Sequence, residues 1–218
     1  MVLGAAALSQ ETSGSLEKVL AQMDGASAKF RSAEASFQWD QFQKVVEETD
    51  TQKGKIYFRK TGNETQMAAD ITEPDPKYVL YIEGKVQWYQ PRIDQVTLYD
   101  ATKNREDVAT FLLLGFGGGG HDLLKSFDVK FLGNEKLASG NTAKLDLTPK
   151  AANIRSHVEH IWLWVDPALG IPVQQQLFFP GGDYRLAKYS DIRLNQKISD
   201  GVFKLKTTSR TKVVSPQG

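Results

Sequence analysis

Apolar and polar residues alternate with a period of two along a stretch of about seventy residues that starts near residue 32. In the clearest run, 33–39, Ala, Ala, Phe and Trp alternate with Glu, Ser and Gln. Similar short runs lie at 56–58, 67–71, 79–82, 86–89 and 96–98. Because no helical segment separates them, these runs predict strands that pair antiparallel as a meander.

Strand character returns in the second half of the chain. Predicted strands lie at 129–131, 143–147, 158–165, 173–179 and 184–194, with a last short strand at 202–206. A sheet of about eleven strands accumulates twist and curls. The predicted fold class is mainly β (α+β): an incomplete antiparallel β-barrel of about 11 strands, with an N-terminal helix and lid helices on its concave face.

The N-terminal region predicts a leader followed by a helix. Residues 1–10 read MVLGAAALSQ, an apolar and small-residue segment like the end of a signal peptide. Residues 15–30 have helical apolar spacing, and Ser15 is the predicted N-cap. We therefore expect 1–14 to be a signal-peptide remnant or disordered tail, and 15–218 to be a single secreted domain.

Composition excludes several function classes. The chain has no cysteine, which excludes disulfides, thiol catalysis, cysteine-ligated metals and an acylated-cysteine anchor. The net charge of +1 gives no indication of nucleic-acid binding. No run approaches the roughly 18 apolar residues of a membrane span. A monomer without a transmembrane segment is expected.

The segment between the two sets of strands is predicted to be helical over 105–116 and again over 121–127. Residues 111–116 are apolar at almost every position, and four glycines, 117–120, follow them. A helix that is apolar on all sides, joined by flexible glycines, is typical of a lid over a cavity. The alternative interpretation is a buried core helix followed by a loop.

The histidines give weak catalytic signals. His157 and His160 point to opposite faces of a regular strand, which argues against a shared metal. His121 is expected to start a helix rather than to act in catalysis. The glycine run lacks the Lys-Ser/Thr ending of a phosphate-binding loop, and Gly-x-Ser-x-Gly is absent from the sequence. We predict no enzyme activity, no catalytic residues, no metal and no cofactor, and a hydrolase is the weakest hypothesis.

Several motifs together resemble those of a known family. Residues 161–174 read IWLWVDPALGIPVQ, a strand ending in Asp followed by a Gly-Ile-Pro turn into the next strand. Residues 189–195 read YSDIRLN, and 202–205 read VFKL. With the N-terminal helix leading into FQW at 37–39, they resemble the LolA-like periplasmic carriers, the outer-membrane lipoprotein carrier and sorting proteins. The resemblance covers the chain after residue 14.

This resemblance implies a half-barrel that shields lipoprotein acyl chains or free lipid during transport to the outer membrane. It also implies an inner-membrane transporter and an outer-membrane acceptor as partners. Characterised carriers lock the lid with a strand arginine, for which the sequence offers no unique equivalent. The alternative is an envelope sensory or regulatory domain of the same fold that binds proteins without transport.

We predict that large apolar side chains of the meander and the helical segment bind the ligand. In the meander, one face of the sheet is predicted to carry Leu80, Ile82, Trp88, Met67, Ile71 and Leu98. The predicted ligand-binding residues are Trp39, Phe58, Met67, Ile71, Leu80, Ile82, Trp88, Leu98, Phe111, Leu112, Leu114, Phe116, Leu123 and Leu124. A filled hydrophobic core is the alternative explanation of the same pattern.

Overall fold

A computed structural model describes residues 3–62, 64–100 and 114–215, with the side chains of the first helix described from residue 14 onward. The helices in this part of the chain are α1 (Leu3–Lys29), α2 (Gly120–Ser126) and α3 (Ala152–Arg155). The strands are β1 (Ser32–Gln43), β2 (Glu48–Thr61), β3 (Glu64–Glu73), β4 (Lys77–Ile82), β5 (Lys85–Gln90), β6 (Gln95–Asp100), β7 (Phe127–Leu137), β8 (Gly140–Pro149), β9 (His160–Asp166), β10 (Ile171–Phe178), β11 (Tyr184–Leu194) and β12 (Lys212–Val214).

All twelve strands belong to one sheet in the order β12-β6-β5-β4-β3-β2-β1-β11-β10-β9-β8-β7. The order ends at β12 and β7, so the sheet is open. The predicted mainly β fold with an open sheet and an N-terminal helix is therefore confirmed. Two details differ from the prediction: the described residues form twelve strands, and β12 runs parallel to β6, which makes the sheet mixed.

The strands predicted at 79–82 and 86–89 pair antiparallel as expected, and they form a hairpin. Ile82 pairs with Lys85, and the two turn residues Glu83 and Gly84 have φ values of 52° and 74°. Positive φ at both central positions is the mark of a type I′ turn, whose twist matches that of the strands it joins. This turn fixes the register of β4 relative to β5.

Two sequence predictions of local structure are wrong. The helix α1 begins at Leu3 and not at 15. The alanines before residue 9 favour helix and continue it toward the N-terminus, so Ser15 is not a cap. The predicted strand at 202–206 is not formed: Asp200–Phe203 make a 3-10 turn, which the Ser199 hydroxyl caps by accepting a hydrogen bond from the Gly201 N–H.

The chain divides into two compact units, which we describe separately. The first unit contains the described residues of 1–29, 41–49 and 110–188. Its core is formed by α1 and α2 on one face of the strands β7, β8 and β9. Side chains at 0–4% exposure make up this core: Val19, Met23, Leu114, Leu123, Phe127, Ala143, Leu145, Leu147, Val158, Ile161, Leu163 and Val165.

The glycines of 117–120 are packed and do not form the free joint that we predicted. A Cβ at Gly120 would lie 2.3 Å from the Leu20 carbonyl oxygen of α1. The Ser27 hydroxyl donates a 2.7 Å hydrogen bond to the Gly117 carbonyl. The absence of side chains therefore lets the start of α2 approach the backbone of α1, which is a packing role for glycine.

The second unit contains the described residues of 30–40, 50–109 and 189–218. It consists of the meander β2 to β6 with most of β1, the end of β11, β12 and the C-terminal segment. The Asn195 side chain accepts a 2.8 Å hydrogen bond from the Arg31 N–H, and the Asn195 N–H donates to the Ser32 carbonyl at 2.8 Å. These bonds connect the start of β1 to the residue that follows β11.

Candidate apolar binding surface

One face of the meander in the second unit carries large apolar side chains on several neighbouring strands. Phe58 pairs with Met67, Ala69 with Val79, and Val79 with Trp88. Directly paired residues of antiparallel strands project to the same side of a sheet. Phe58, Met67, Val79 and Trp88 therefore share one side, which we call the first face.

Trp39 on β1 belongs to the same face. Glu34 of β1 accepts a 3.0 Å hydrogen bond from Lys55, and Lys55 has the opposite parity to Phe58 within β2. Since successive side chains of a strand alternate, Trp39 lies on the side of Phe58. Its ring centroid is 4.2 Å from that of Phe37.

The first face has a buried base and a partly exposed surface. Phe58 and Ile71 are each 4% exposed, whereas Trp39, Met67 and Trp88 are only partly buried. Registers in the described strands place charged side chains of this face toward strand ends. Large, uncharged and partly exposed side chains of this kind suit contact with an apolar ligand.

Three of the predicted ligand-binding residues lie on the opposite, second face. Leu80 pairs with Gln87, and Gln87 pairs with Leu98, so both leucines and Ile82 project away from Met67. The prediction that these residues share one face with Met67 and Trp88 was wrong. The cause is that β4 is apolar at both parities, which leaves the phase of the strand undetermined by its own sequence.

The second face is covered by the C-terminal segment 198–205, which we call the strap. Ala68, Leu80 and Phe203 form a buried cluster. The partly buried side chains packed against it are Tyr57, Tyr78, Ile82, Ile198, Val202 and Leu205. The strap thus turns the second face into a filled core.

Arg59 fastens the strap at one point. Its Nη1 forms an ion pair with Asp200, its Nη2 donates a 2.8 Å hydrogen bond to Gln66, and its guanidinium carbon lies 4.1 Å from the ring centroid of Phe203. A planar guanidinium can combine these three contacts, whereas a lysine ammonium cannot. Arg59, a strand arginine of the meander, thus binds the strap through Asp200 and Phe203.

A second contact fastens the strap through Tyr78, whose hydroxyl donates a 2.5 Å hydrogen bond to the Val202 carbonyl. Burial raises the pKa of Tyr78 to about 12.

Tyr78 should make the protein less stable at alkaline pH. The Tyr78 hydroxyl of the unfolded chain loses its proton near pH 10. The contribution of Tyr78 to the free energy of unfolding should therefore be complete below pH 10 and fall as the pH rises from 10 toward 12. In Tyr78→Phe we expect this alkaline loss to diminish, as measured by urea unfolding between pH 8 and pH 12. An equally steep loss in Tyr78→Phe would contradict this assignment.

Comparison of the sequence with known proteins identifies a protein family. The family described as outer membrane lipoprotein carrier protein LolA matches residues 28–206, most of the chain. The chain belongs to the LolA family. No curated protein matches the sequence.

Solved structures share the LolA-family fold at low sequence identity. An uncharacterized conserved protein from Thermus thermophilus has a TM-score of 0.59 at 11% identity, over 92% of this chain and 99% of that one. A crystal structure of MucB has a TM-score of 0.57 at 13% identity, over 92% of this chain and 66% of that one. In the Pseudomonas aeruginosa MucA/MucB complex the TM-score is 0.53 at 14% identity, over 88% and 61%. This LolA-family chain therefore spans under two thirds of the MucB chain in that complex.

The predicted lid residues of this LolA-family chain fall into two groups. Phe111 and Leu112 lie outside the described residues. Leu114, Phe116 and Leu123 are 0–2% exposed, and Leu114 and Leu123 pack with Met23 of α1 in the core of the first unit. Leu124 is partly buried. Leu114, Phe116 and Leu123 are thus buried, and Leu124 is only partly so.

Two of the three histidines, His121 and His160, contact carboxylate side chains. His160 Nδ1 lies 2.7 Å from Asp146 Oδ1, and its ring stacks on Phe178 with centroids 4.2 Å apart. His157 lies in the turn before β9. Among the described residues of this LolA-family chain, no three His, Asp or Glu side chains are placed to hold a metal ion. No helix in the described part of the chain is long and apolar enough to span a membrane.

Proposed function

We propose that this LolA-family chain is a periplasmic carrier that binds acyl chains of lipoproteins, or other lipids, on the first face of its meander. The observation that carries the proposal is that Trp39, Met67 and Trp88, three large apolar side chains of the first face, remain partly exposed. An inner-membrane transporter would supply the cargo and an outer-membrane acceptor would receive it.

The physical basis is the cost of exposing acyl chains to water. Each methylene removed from water contributes about 0.8 kcal/mol, so a lipid crossing an aqueous compartment needs an apolar shield. Aromatic and thioether side chains adapt to a chain of variable shape. Trp39, Met67 and Trp88 provide such groups, while Phe58 and Ile71 form the buried base beneath them.

The opposite orientation of Met67 and Leu98 permits a matched test. Both are partly buried apolar residues of the same meander, and Leu98 faces away from the proposed surface. We expect Met67→Asp to weaken binding of a fluorescent fatty acid at least about tenfold, or about 1.4 kcal/mol, because a carboxylate against an acyl chain is costly to desolvate. Leu98→Asp should bind as the parent protein does.

Fluorescence titration would measure affinity, and native mass spectrometry of protein purified from a periplasm would detect co-purifying lipid. Circular dichroism of each variant separates loss of binding from loss of folding. Unchanged affinity in a folded Met67→Asp variant would exclude the first face as the binding surface. Absence of lipid and of fatty-acid uptake in the parent protein would exclude the carrier function.

A second candidate function is supported by the MucB comparison, since the structure of MucB in complex with MucA(peri) has the same fold with a TM-score of 0.52. A regulatory domain would bind a protein partner and need no lipid. Affinity capture from an envelope extract, repeated with lipid-depleted protein, distinguishes the two. A stoichiometric protein partner together with no lipid uptake would favour the regulatory function.

A further inference from the structure

His121 lies where α2 meets α1 in the first unit, and both of its ring nitrogens face carboxylates of α1. Nδ1 contacts Asp24, and Nε2 is 3.2 Å from a Glu17 carboxylate oxygen. The backbone N–H of His121 also donates a 3.1 Å hydrogen bond to Asp24. Two residues of α1, seven positions apart and on the same side of the helix, therefore hold one residue of α2.

This arrangement requires the imidazolium. A neutral imidazole carries one N–H and one bare lone pair, so one of the two carboxylates would face a lone pair. The doubly protonated ring donates from both nitrogens and pairs with both charges. The geometry thus defines the protonation state at which the contact between the helices is complete.

Other charges at this junction do not replace the ring. Asp122 of α2 forms a 2.6 Å ion pair with Lys125, so this ammonium is already matched with an acid of its own helix. Lys150 reaches the opposite end of α2, where it donates a 2.6 Å hydrogen bond to the Leu124 carbonyl. Loss of the proton from His121 would leave Glu17 and Asp24 without the cation between them.

The contact lies at the edge of an apolar interface. Directly beneath it, Gly120 closes on the backbone of Leu20, and Val19, Met23 and Leu123 cover the core face of β7 to β9. His121 itself is 45% exposed at its side chain, so its proton exchanges freely with solvent. A titratable group at the exposed edge of this interface can change how strongly α1 packs against α2.

We propose that Glu17, Asp24 and His121 form a proton-controlled latch that holds α1 against α2, and that α1 loosens from its sheet as the pH rises. The hydrogen bond that the ring N–H donates to Asp24 raises the pKa of His121, and Glu17 adds to this effect although burial opposes it. The stabilisation is therefore complete below the ordinary histidine pKa near 6.5. It is lost as the pH rises through the raised value of the folded state.

The absence of cysteine from the chain allows a direct test by thiol labelling. Val19→Cys places a thiol on the buried side of α1, and Lys18→Cys places one on its exposed side. The ratio of their labelling rates with a maleimide cancels the titration of the thiol itself. We expect this ratio to rise severalfold between pH 6 and pH 9, within the limit of about tenfold per pH unit for one proton.

Two changes at His121 serve as matched controls. In a His121→Gln background the ratio should be high and independent of pH, because the bridging cation is absent throughout. In a His121→Lys background it should be low and independent of pH, since an ammonium stays charged over this range. A flat ratio in the parent, or a pH-dependent rise that persists in His121→Gln, would overturn the latch. No lipid is used, so the outcome is independent of the proposed carrier function.

Discussion

Gly120→Ala is expected to lower the free energy of unfolding by about 3 kcal/mol, since overpacking of a filled interface costs about that much. The new methyl carbon would lie 2.3 Å from the Leu20 carbonyl oxygen and 2.5 Å from the Leu20 Cα. Neither is the end of a flexible side chain, so α1 and α2 must separate. Urea denaturation of the full chain measures the change.

Gly25→Ala is the matched control for this prediction. Gly25 lies within α1, and a Cβ there has nothing within 4 Å. Replacing an exposed helical glycine by alanine should stabilise by about 0.5–1 kcal/mol. The same chemical change should therefore have opposite signs at two positions. Equal effects would show that Gly120 does not limit the approach of the two helices.

Phe203→Ala should release the strap from the second face of the meander. Phe203 is 5% exposed and packs with Ala68 and Leu80, and removal of a buried phenylalanine costs about 3–5 kcal/mol. It also removes the ring beneath the Arg59 guanidinium. We expect faster proteolysis after residue 198, as followed by mass spectrometry, and a reduced free energy of unfolding.

Val213→Ala provides the comparison at the same end of the chain. Val213 is 61% exposed, so its truncation should change stability by less than about 0.5 kcal/mol. A strap that stays resistant to protease in Phe203→Ala would mean that Arg59 and Tyr78 hold it without the aromatic anchor. The folded state of both variants can be checked by circular dichroism.

The sequence predicts the meander well because the residues of a tight turn determine the type of that turn. Glu83-Gly84 dictates a two-residue turn, and that turn dictates which residues pair across β4 and β5. The same turn contains the information that corrects the face assignment. Counting back from the Ile82–Lys85 pair places Trp88 opposite Val79, and therefore apart from Leu80.

Long-range packing is what the sequence does not reveal. Gly120 shows its role only when Leu20, a hundred residues earlier in the chain, lies against it. Phe203 resembles a strand residue by type, yet the hydrogen bond from Tyr78 to Val202 and the Arg59 contacts hold the strap in another conformation. His121 likewise gains its two carboxylates from a helix distant in sequence. Periodicity reports local structure, whereas each of these contacts depends on tertiary packing.

The strap has a consequence for where lipid can bind. A sheet has two sides, and an unprotected two-sided apolar sheet would accept cargo, or another copy of itself, on both. With Phe203 and its neighbours occupying the second face, the meander is left with one side for an acyl chain. Under the proposed carrier function, lipid bound to the meander at saturation should therefore occupy the first face alone.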